Sequence, residues 1–262
     1  MTLNLIGTGL NEKSITLEAL EAIKKSKKVY LENYTVDFPY PKTKLEKVIK
    51  RKITELTREQ VESLEFLKEA TSVSLLKNKR ANDKNKKSTN AKREPKQDIS
   101  LLVYGDSLSA TTHSEIILTC KNNEIPFKIF HNASVMTAIA ETGLQLYKFG
   151  KTASMPTWKN NWKPDSFMEI VKQNQSIQAH TLLLVDIALD LEKAKQQLKE
   201  AMKNHNLEIE QIVLCSNLGN EATIIYDKIE NLPKEITKPY CFIIPSRLHF
   251  HEQEFLDKCH PQ

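Results

Sequence analysis

The chain has 262 residues, 40% of them hydrophobic, enough to bury one sizeable core or two smaller ones. No apolar run approaches the roughly 18 residues of a membrane span, and the first, residues 3–6, is too short for a signal peptide; the four scattered cysteines suit a reducing cytoplasm, where the protein is expected. The net charge of +5 has a local origin: residues 77–98 hold nine Lys/Arg against three Asp/Glu and the rest carry −1, which excludes a broad basic face for nucleic acid.

Residues 3–6 read as a strand, followed by the glycine turn Gly7-Thr8-Gly9-Leu10. A Rossmann fingerprint needs a third glycine at position 12, where Glu12 stands, so the turn implies close backbone approach and no dinucleotide signature. Thr16 can cap a helix whose apolar face is Leu17, Leu20 and Ile23. Residues 28–31 form a second strand, ending in the polar cluster Glu32-Asn33-Tyr34-Thr35, either a pocket rim or a solvated loop. Residues 36–43 carry two prolines and read as loop; helices at 45–51 and 58–69 flank a short strand at 52–56. The Lys/Asn-rich tract 77–98 has no large apolar residue and cannot offset its ordering entropy. Near-copies flank it, Val73-Ser74-Leu75-Leu76 and Ile99-Ser100-Leu101-Leu102, so it reads as a disordered insertion into a strand.

The strand at 99–103 leads into Gly105-Asp106-Ser107-Leu108-Ser109-Ala110-Thr111-Thr112-His113, around which the rest is organised. Thr112 and Glu115 have the spacing of a capping box, which predicts a helix start there. A strand, a polar turn and a helix N-terminus would leave N–H groups, hydroxyls and one carboxylate at the strand's carboxyl end, where open α/β sheets place ligands. Local chemistry alone favours an ordinary βα connection. Beyond it, residues 127–130 are a strand and Asn132 begins a helix that Gly143 can stop. Residues 152–155 open a second half. Trp158 and Trp162 are expected to pack against the body. Ser166 can cap a helix to Asn174; residues 180–186 are a buried strand tipped by Asp186; residues 190–204 are an amphipathic helix. Residues 211–215, 223–229 and 240–244 are further strands. This alternation predicts two α/β domains, 1–131 and 132–262, divided near His131. The four cysteines (Cys120, Cys215, Cys241, Cys259) form no CxxC pair and the seven histidines no HExxH, so neither a disulfide frame nor a metal is expected.

Seven blocks in order resemble the diphthine synthases, a family within the tetrapyrrole-methylase-like class of S-adenosylmethionine (SAM) methyltransferases. They are Ile6-Gly7-Thr8-Gly9-Leu10, Glu32-Asn33-Tyr34-Thr35, the 105–113 stretch, His131-Asn132-Ala133-Ser134, residues 142–151, His180-Thr181-Leu182-Leu183 and Pro245-Ser246-Arg247-Leu248-His249. The block Tyr147-Lys148-Phe149-Gly150-Lys151 is particular to that family. The resemblance implies an α/β fold of two tetrapyrrole-methylase-type domains, with S-adenosyl-L-methionine in the cleft between them, S-adenosyl-L-homocysteine as product, and usually a homodimer. It implies a protein substrate, translation elongation factor 2, whose modified histidine carries an aminocarboxypropyl arm. The enzyme would methylate that arm's amine to form diphthine; eukaryotic relatives also esterify its carboxylate. The family's cofactor positions fall on Leu10, Asp106, Ser109, Ser134 and Val135, and also on Asp186, Asn217 and Tyr240. No base is singled out; Glu32, Tyr34 and Asp106 are candidates, and water could serve.

The chain departs from the family at three places. Ser107 stands where proline is common, Asn11 replaces a usual glycine, and Tyr240 occupies a position often histidine. Two other readings stay open. One is a same-fold methyltransferase acting on a tetrapyrrole or ribosomal RNA, against which the blocks after Thr142 count. The other is an RNA-binding protein acting through 77–98, which lacks the interleaved aromatics of a stacking platform, so nucleic acid is not required.

Overall fold

The computed structural model describes residues 1–67 and 97–259. The chain divides into two compact units: Met1–Thr35 with Tyr40–Ser134, and Val36–Pro39 with the residues from Val135 onward. Among the described residues no helix is long and apolar enough to cross a membrane. The basic tract lies outside the described residues except for Gln97 and Asp98. Asp98 works as an anchor: its carboxylate accepts the Thr2 N–H at 2.7 Å and its carbonyl accepts the Lys27 N–H at 2.7 Å.

The first unit is a five-stranded parallel sheet in the order β3-β2-β4-β1-β5. Its strands are β1 (Leu3–Gly7), β2 (Lys28–Glu32), β3 (Thr54–Leu56), β4 (Ile99–Val103) and β5 (Phe127–Phe130). Every residue of β1 and β4 is buried, as expected of central parallel strands covered on both faces. The helices are α1 (Leu17–Lys25), α2 (Lys42–Ile49), α3 (Arg58–Glu62) and α4 (Ser114–Asn122). Thr16 caps α1 by accepting the Ala19 N–H, and the Arg51 guanidinium collects the carbonyls of Ile23, Lys24, Ser26 and Lys27 around its far end.

Three expectations need correcting in this unit. Leu17 is 81% exposed; the buried stripe of α1 is Ala19 and Ile23, because the helix presents that side to the sheet. The helix from Arg58 breaks after Glu62, where Leu64 turns left-handed at φ 57°; residues 65–67 are helical again, and residues 68–69 lie outside the described residues. The Thr112–Glu115 capping box does not form: His113 holds the N-cap place in helical geometry without a side-chain cap bond, and Thr112 offers only its carbonyl to Glu115 N–H.

The second unit is a mixed sheet in the order β6-β7-β10-β8-β9. Its strands are β6 (Ala153–Met155), β7 (Thr181–Val185), β8 (Ile212–Ser216), β9 (Thr223–Asp227) and β10 (Tyr240–Ile244). β6 and β7 run parallel; β10 pairs antiparallel with β7 and β8, and β8 with β9. Helices α5 (Val135–Ala138), α6 (Phe167–Ser176), α7 (Leu191–Asn204) and α8 (Phe250–Leu256) belong to it. The helix expected from Asn132 begins at Val135 and tightens to a 3₁₀ turn over Ile139–Thr142, ended by Gly143 at φ 76°. Ser166 precedes α6 but makes no cap bond. Trp158 packs on the core and donates its indole N–H to the Pro164 carbonyl at 2.9 Å, whereas Trp162 is 54% exposed, contrary to expectation.

Candidate functional site

Four of the seven sequence blocks meet at one place in the first unit. The register pairs Gly7 with Val103, Leu31 with Leu102 and Ile6 with Phe130, so the segments after β1, β2, β4 and β5 all emerge at the carboxyl edge of the parallel sheet. That edge is where open α/β sheets take ligands.

The first two turns are locked together. Gly9 and Gly105 exchange N–H···O bonds of 3.0 Å in both directions. A Cβ on Gly7 would stand 2.6 Å from the Gly105 carbonyl oxygen, and Gly9 sits at φ +73°, so both positions require glycine. Thr8 is buried and gives both its N–H and its hydroxyl to the Val103 carbonyl. The Tyr104 hydroxyl donates to the Leu10 carbonyl at 3.0 Å, which fixes Leu10 over the end of β4.

Asp106 is the acceptor that holds the edge. Its Oδ1 accepts the Leu108 N–H at 2.9 Å and the Ser109 hydroxyl at 3.3 Å; its Oδ2 accepts the Asn132 N–H at 3.0 Å and faces His131 Nδ1 at 2.9 Å. Asn132 extends the clamp by donating its amide to the carbonyls of Gly7 and Ser14 at 3.1 and 3.0 Å. Burial opposes ionisation of Asp106, but the donors on Leu108, Asn132 and His131 outweigh it and hold the carboxyl below its ordinary range. Asp106 is therefore a charged clamp whose lone pairs are already engaged. Ser109 is its second-turn partner and Ser134 closes the unit, buried.

Ser107 differs. It is fully buried and its hydroxyl has no hydrogen-bond partner among the described residues. Ser107→Ala is expected to stabilise the protein by about 1 kcal/mol, since an unsatisfied buried hydroxyl costs roughly that much. Thermal melting checks it; a loss of stability would mean that the hydroxyl has a partner in solution.

In the second unit, the remaining expected positions are set apart from one another in sequence. Val135 opens α5 and packs against the apolar cluster around Ile139 and Leu182. Asp186 follows β7 and accepts the Thr157 N–H at 3.1 Å. Asn217, left-handed at φ 55°, donates its N–H to the Pro239 carbonyl, while its buried Oδ1 has no hydrogen-bond partner among the described residues. Tyr240 is buried with its hydroxyl donating to the Leu189 carbonyl at 2.8 Å, so that hydroxyl is already committed.

The other three blocks converge on Glu252, a residue that sequence reasoning missed. Its carboxylate accepts the N–H groups of Gln145 and His249 at 3.0 and 2.7 Å and the Lys148 ammonium. The Ser246 N–H donates to His180 Nδ1 at 2.9 Å, so the hydrogen of that ring lies on Nε2 and points at Glu252 Oε1, 3.2 Å away. Burial resists the charge on Glu252, yet these four donors bring its carboxyl down to about 2. The signal was the spacing of His249 and Glu252, which forms a capping box at the start of α8.

A parallel first sheet with two interlocked glycine turns at its carboxyl edge, followed in the chain by a mixed second sheet, is the architecture of one class. The tetrapyrrole (corrin/porphyrin) methylases match residues 2–233, and the chain belongs to that family. Its relatives sharpen this to the diphthine methyl ester synthases. The Dictyostelium discoideum protein of that name is 35% identical over 98% of this chain and 97% of its own length. Those of Schizosaccharomyces pombe and Saccharomyces cerevisiae are 39% and 40% identical over 74% and 78% of this chain, which spans 59% and 60% of their lengths. A solved diphthine synthase, 27% identical, superposes with a TM-score of 0.82 over 99% of this chain and 96% of its own.

Proposed function

We propose that the chain is a SAM-dependent methyltransferase of diphthamide biosynthesis. It methylates the amine of the aminocarboxypropyl arm on the modified histidine of translation elongation factor 2, forming diphthine, and goes on to the methyl ester that its relatives' name describes. The observation that carries this is the end-to-end match to the Dictyostelium protein. We place it in the cytoplasm with that substrate, as a homodimer.

The donor set suits the cofactor, which when bound supplies a methyl group on a sulfonium centre. Asp106 keeps a negative charge through neutral pH and favours a nearby cation. Because its oxygens already accept four hydrogen bonds, its part is charge and the shape of the turn rather than direct capture of the methionine ammonium. Leu10, Ser109 and Ser134 offer apolar surface and hydroxyls on the same edge. From the second unit, Asn217 Oδ1, without a hydrogen-bond partner among the described residues, is an acceptor suited to an adenine amino group, and Tyr240 offers its ring. Val135 and Asp186 complete the proposed set.

Methylation of an amine needs its lone pair, so the amine must lose a proton. Tyr34 is a poor base: burial, aided by Glu32 and Glu62, pushes its hydroxyl up to about 12. Glu32 is sealed from solvent and Asp106 is saturated with donors. The proton is therefore proposed to leave through water, and the chain contributes the positioning of the reacting pair. Incubation with methyl-labelled SAM tests the reading: label should enter elongation factor 2 carrying the arm. Label entering RNA or a tetrapyrrole instead would contradict it.

A further inference from the structure

Beneath the Asp106 turn lies a polar group that the cofactor reading does not use. Glu32 ends β2 fully buried, and His113, at the start of α4, is 1% exposed. His113 Nδ1 lies 3.1 Å from the Ser107 carbonyl oxygen. A carbonyl only accepts, so the ring's hydrogen is on Nδ1. In the neutral ring Nε2 is then a bare lone pair, and it faces Glu32 Oε2 at 3.7 Å. Neither atom has a hydrogen-bond partner among the described residues. The other oxygen, Oε1, accepts the Thr35 hydroxyl at 2.6 Å. Two bare acceptors facing each other out of contact with water repel, and each has lost its hydration.

We infer that Glu32 and His113 hold one proton between them, and that this proton pins His113 beneath the Ser107 carbonyl and so fixes the turn carrying Asp106 and Ser109. The two are positioning residues; neither reaches the surface where a cofactor would lie. The inference rests on the proposed function only for its consequence in SAM binding.

The surroundings favour the proton on Glu32. Burial pushes its carboxyl up to about 7, against the opposing hydrogen bonds of Thr35 and the charge of Arg58. Burial pulls His113 below its ordinary value, against the Ser107 carbonyl. Among the described residues, Arg58 of α3 acts on Glu32 by its charge and Tyr34, from the chain after β2, is acted on by Glu32; the Arg58 guanidinium lies 5.3 Å from the Tyr34 ring centre. A neutral acid against a neutral imidazole avoids two buried charges. A carboxyl raised in the folded state binds its proton more tightly there than when unfolded. Its stabilising contribution is therefore complete below about 4.5 and is lost as pH rises through about 7. Above that, a carboxylate faces the Nε2 lone pair, so the ring turns away or its hydrogen moves from Nδ1 to Nε2; either change takes the donor from the Ser107 carbonyl and releases the turn.

The test is carbon-13 NMR of glutamate carboxyls in the ligand-free protein, titrated from acid to about pH 9, with Glu32→Gln to assign the resonance. Glu32 is expected to titrate well above the exposed glutamates. The backbone amides of Leu108 and Ser109 should shift with the same midpoint in the wild type and stay still in Glu32→Gln, whose amide can donate to Nε2 without titrating. Under the proposed function, SAM affinity follows, weakening by up to about tenfold per pH unit above the midpoint in wild type and not in Glu32→Gln. A Glu32 carboxyl that titrates with the exposed glutamates overturns the shared proton. A raised carboxyl with unmoved Leu108 and Ser109 amides overturns the pin. Neither NMR readout needs the cofactor, so both stand even if the cofactor reading fails; if the variant does not fold, the Glu32 carboxyl is assigned in the wild type by through-bond correlation to its own backbone, and the wild-type titration decides.

Discussion

Glu252→Ala is expected to cost about 3–5 kcal/mol of stability, the range seen when one partner of a buried ion pair is removed. The side chain is fully buried and is the common acceptor of Lys148, His180 and two backbone N–H groups. Its loss takes this acceptor from all four donors, one of them on the 0%-exposed His180. Lys148 would keep the Arg247 carbonyl, 2.9 Å away, as its remaining acceptor. A fall of roughly ten degrees in melting temperature is expected. The pH dependence has a definite sign. A carboxyl lowered from 4.5 to about 2 stabilises the folded state above about 4.5, and the contribution is lost as pH falls toward 2. In the Ala variant this acid-limb loss should be absent. Chemical denaturation at several pH values checks both statements, and a change below about 1 kcal/mol would show that the network is not worth what its geometry implies.

Asp106→Ala is the second large effect, and it should strike stability and binding together. Its removal leaves the Leu108 and Asn132 N–H groups, the Ser109 hydroxyl and the His131 ring without their acceptor. His131 is exposed and can turn to water, so the cost comes chiefly from the two backbone donors, about 2–4 kcal/mol in all. Loosening the link between the 105–109 turn and the 131–134 segment should also weaken SAM binding by about tenfold or more. Denaturation and calorimetry on the same preparation separate the two. A variant as stable as wild type that binds SAM normally would reduce Asp106 to an ordinary turn residue.

Much of this was legible in the sequence because it is local. The apolar runs at 3–6, 99–103 and 181–185 could only be buried strands, and the glycine and Gly-Asp turns announced themselves as turns at strand ends. That those turns share one edge follows from parallel pairing. What stayed hidden depends on partners far apart in the chain. Nothing near Glu32 announces His113, and nothing near Lys148 announces Glu252. The capping-box reading failed for the same reason. His113, its Nδ1 on the Ser107 carbonyl, takes the N-cap place that local spacing assigns to Thr112. The antiparallel pairing around β10 was equally invisible, since a fully buried strand shows the same apolar run in either direction.

Methyl transfer to the modified histidine can be measured directly. Elongation factor 2 carrying the aminocarboxypropyl arm, incubated with the protein and SAM, is digested and the histidine-bearing peptide weighed by mass spectrometry. Successive gains of one methylene mass each are expected, located on the arm's amine and then on its carboxylate, with S-adenosyl-L-homocysteine formed in equal amount. A peptide whose mass does not change, while the protein is folded and binds SAM, would contradict the proposed function.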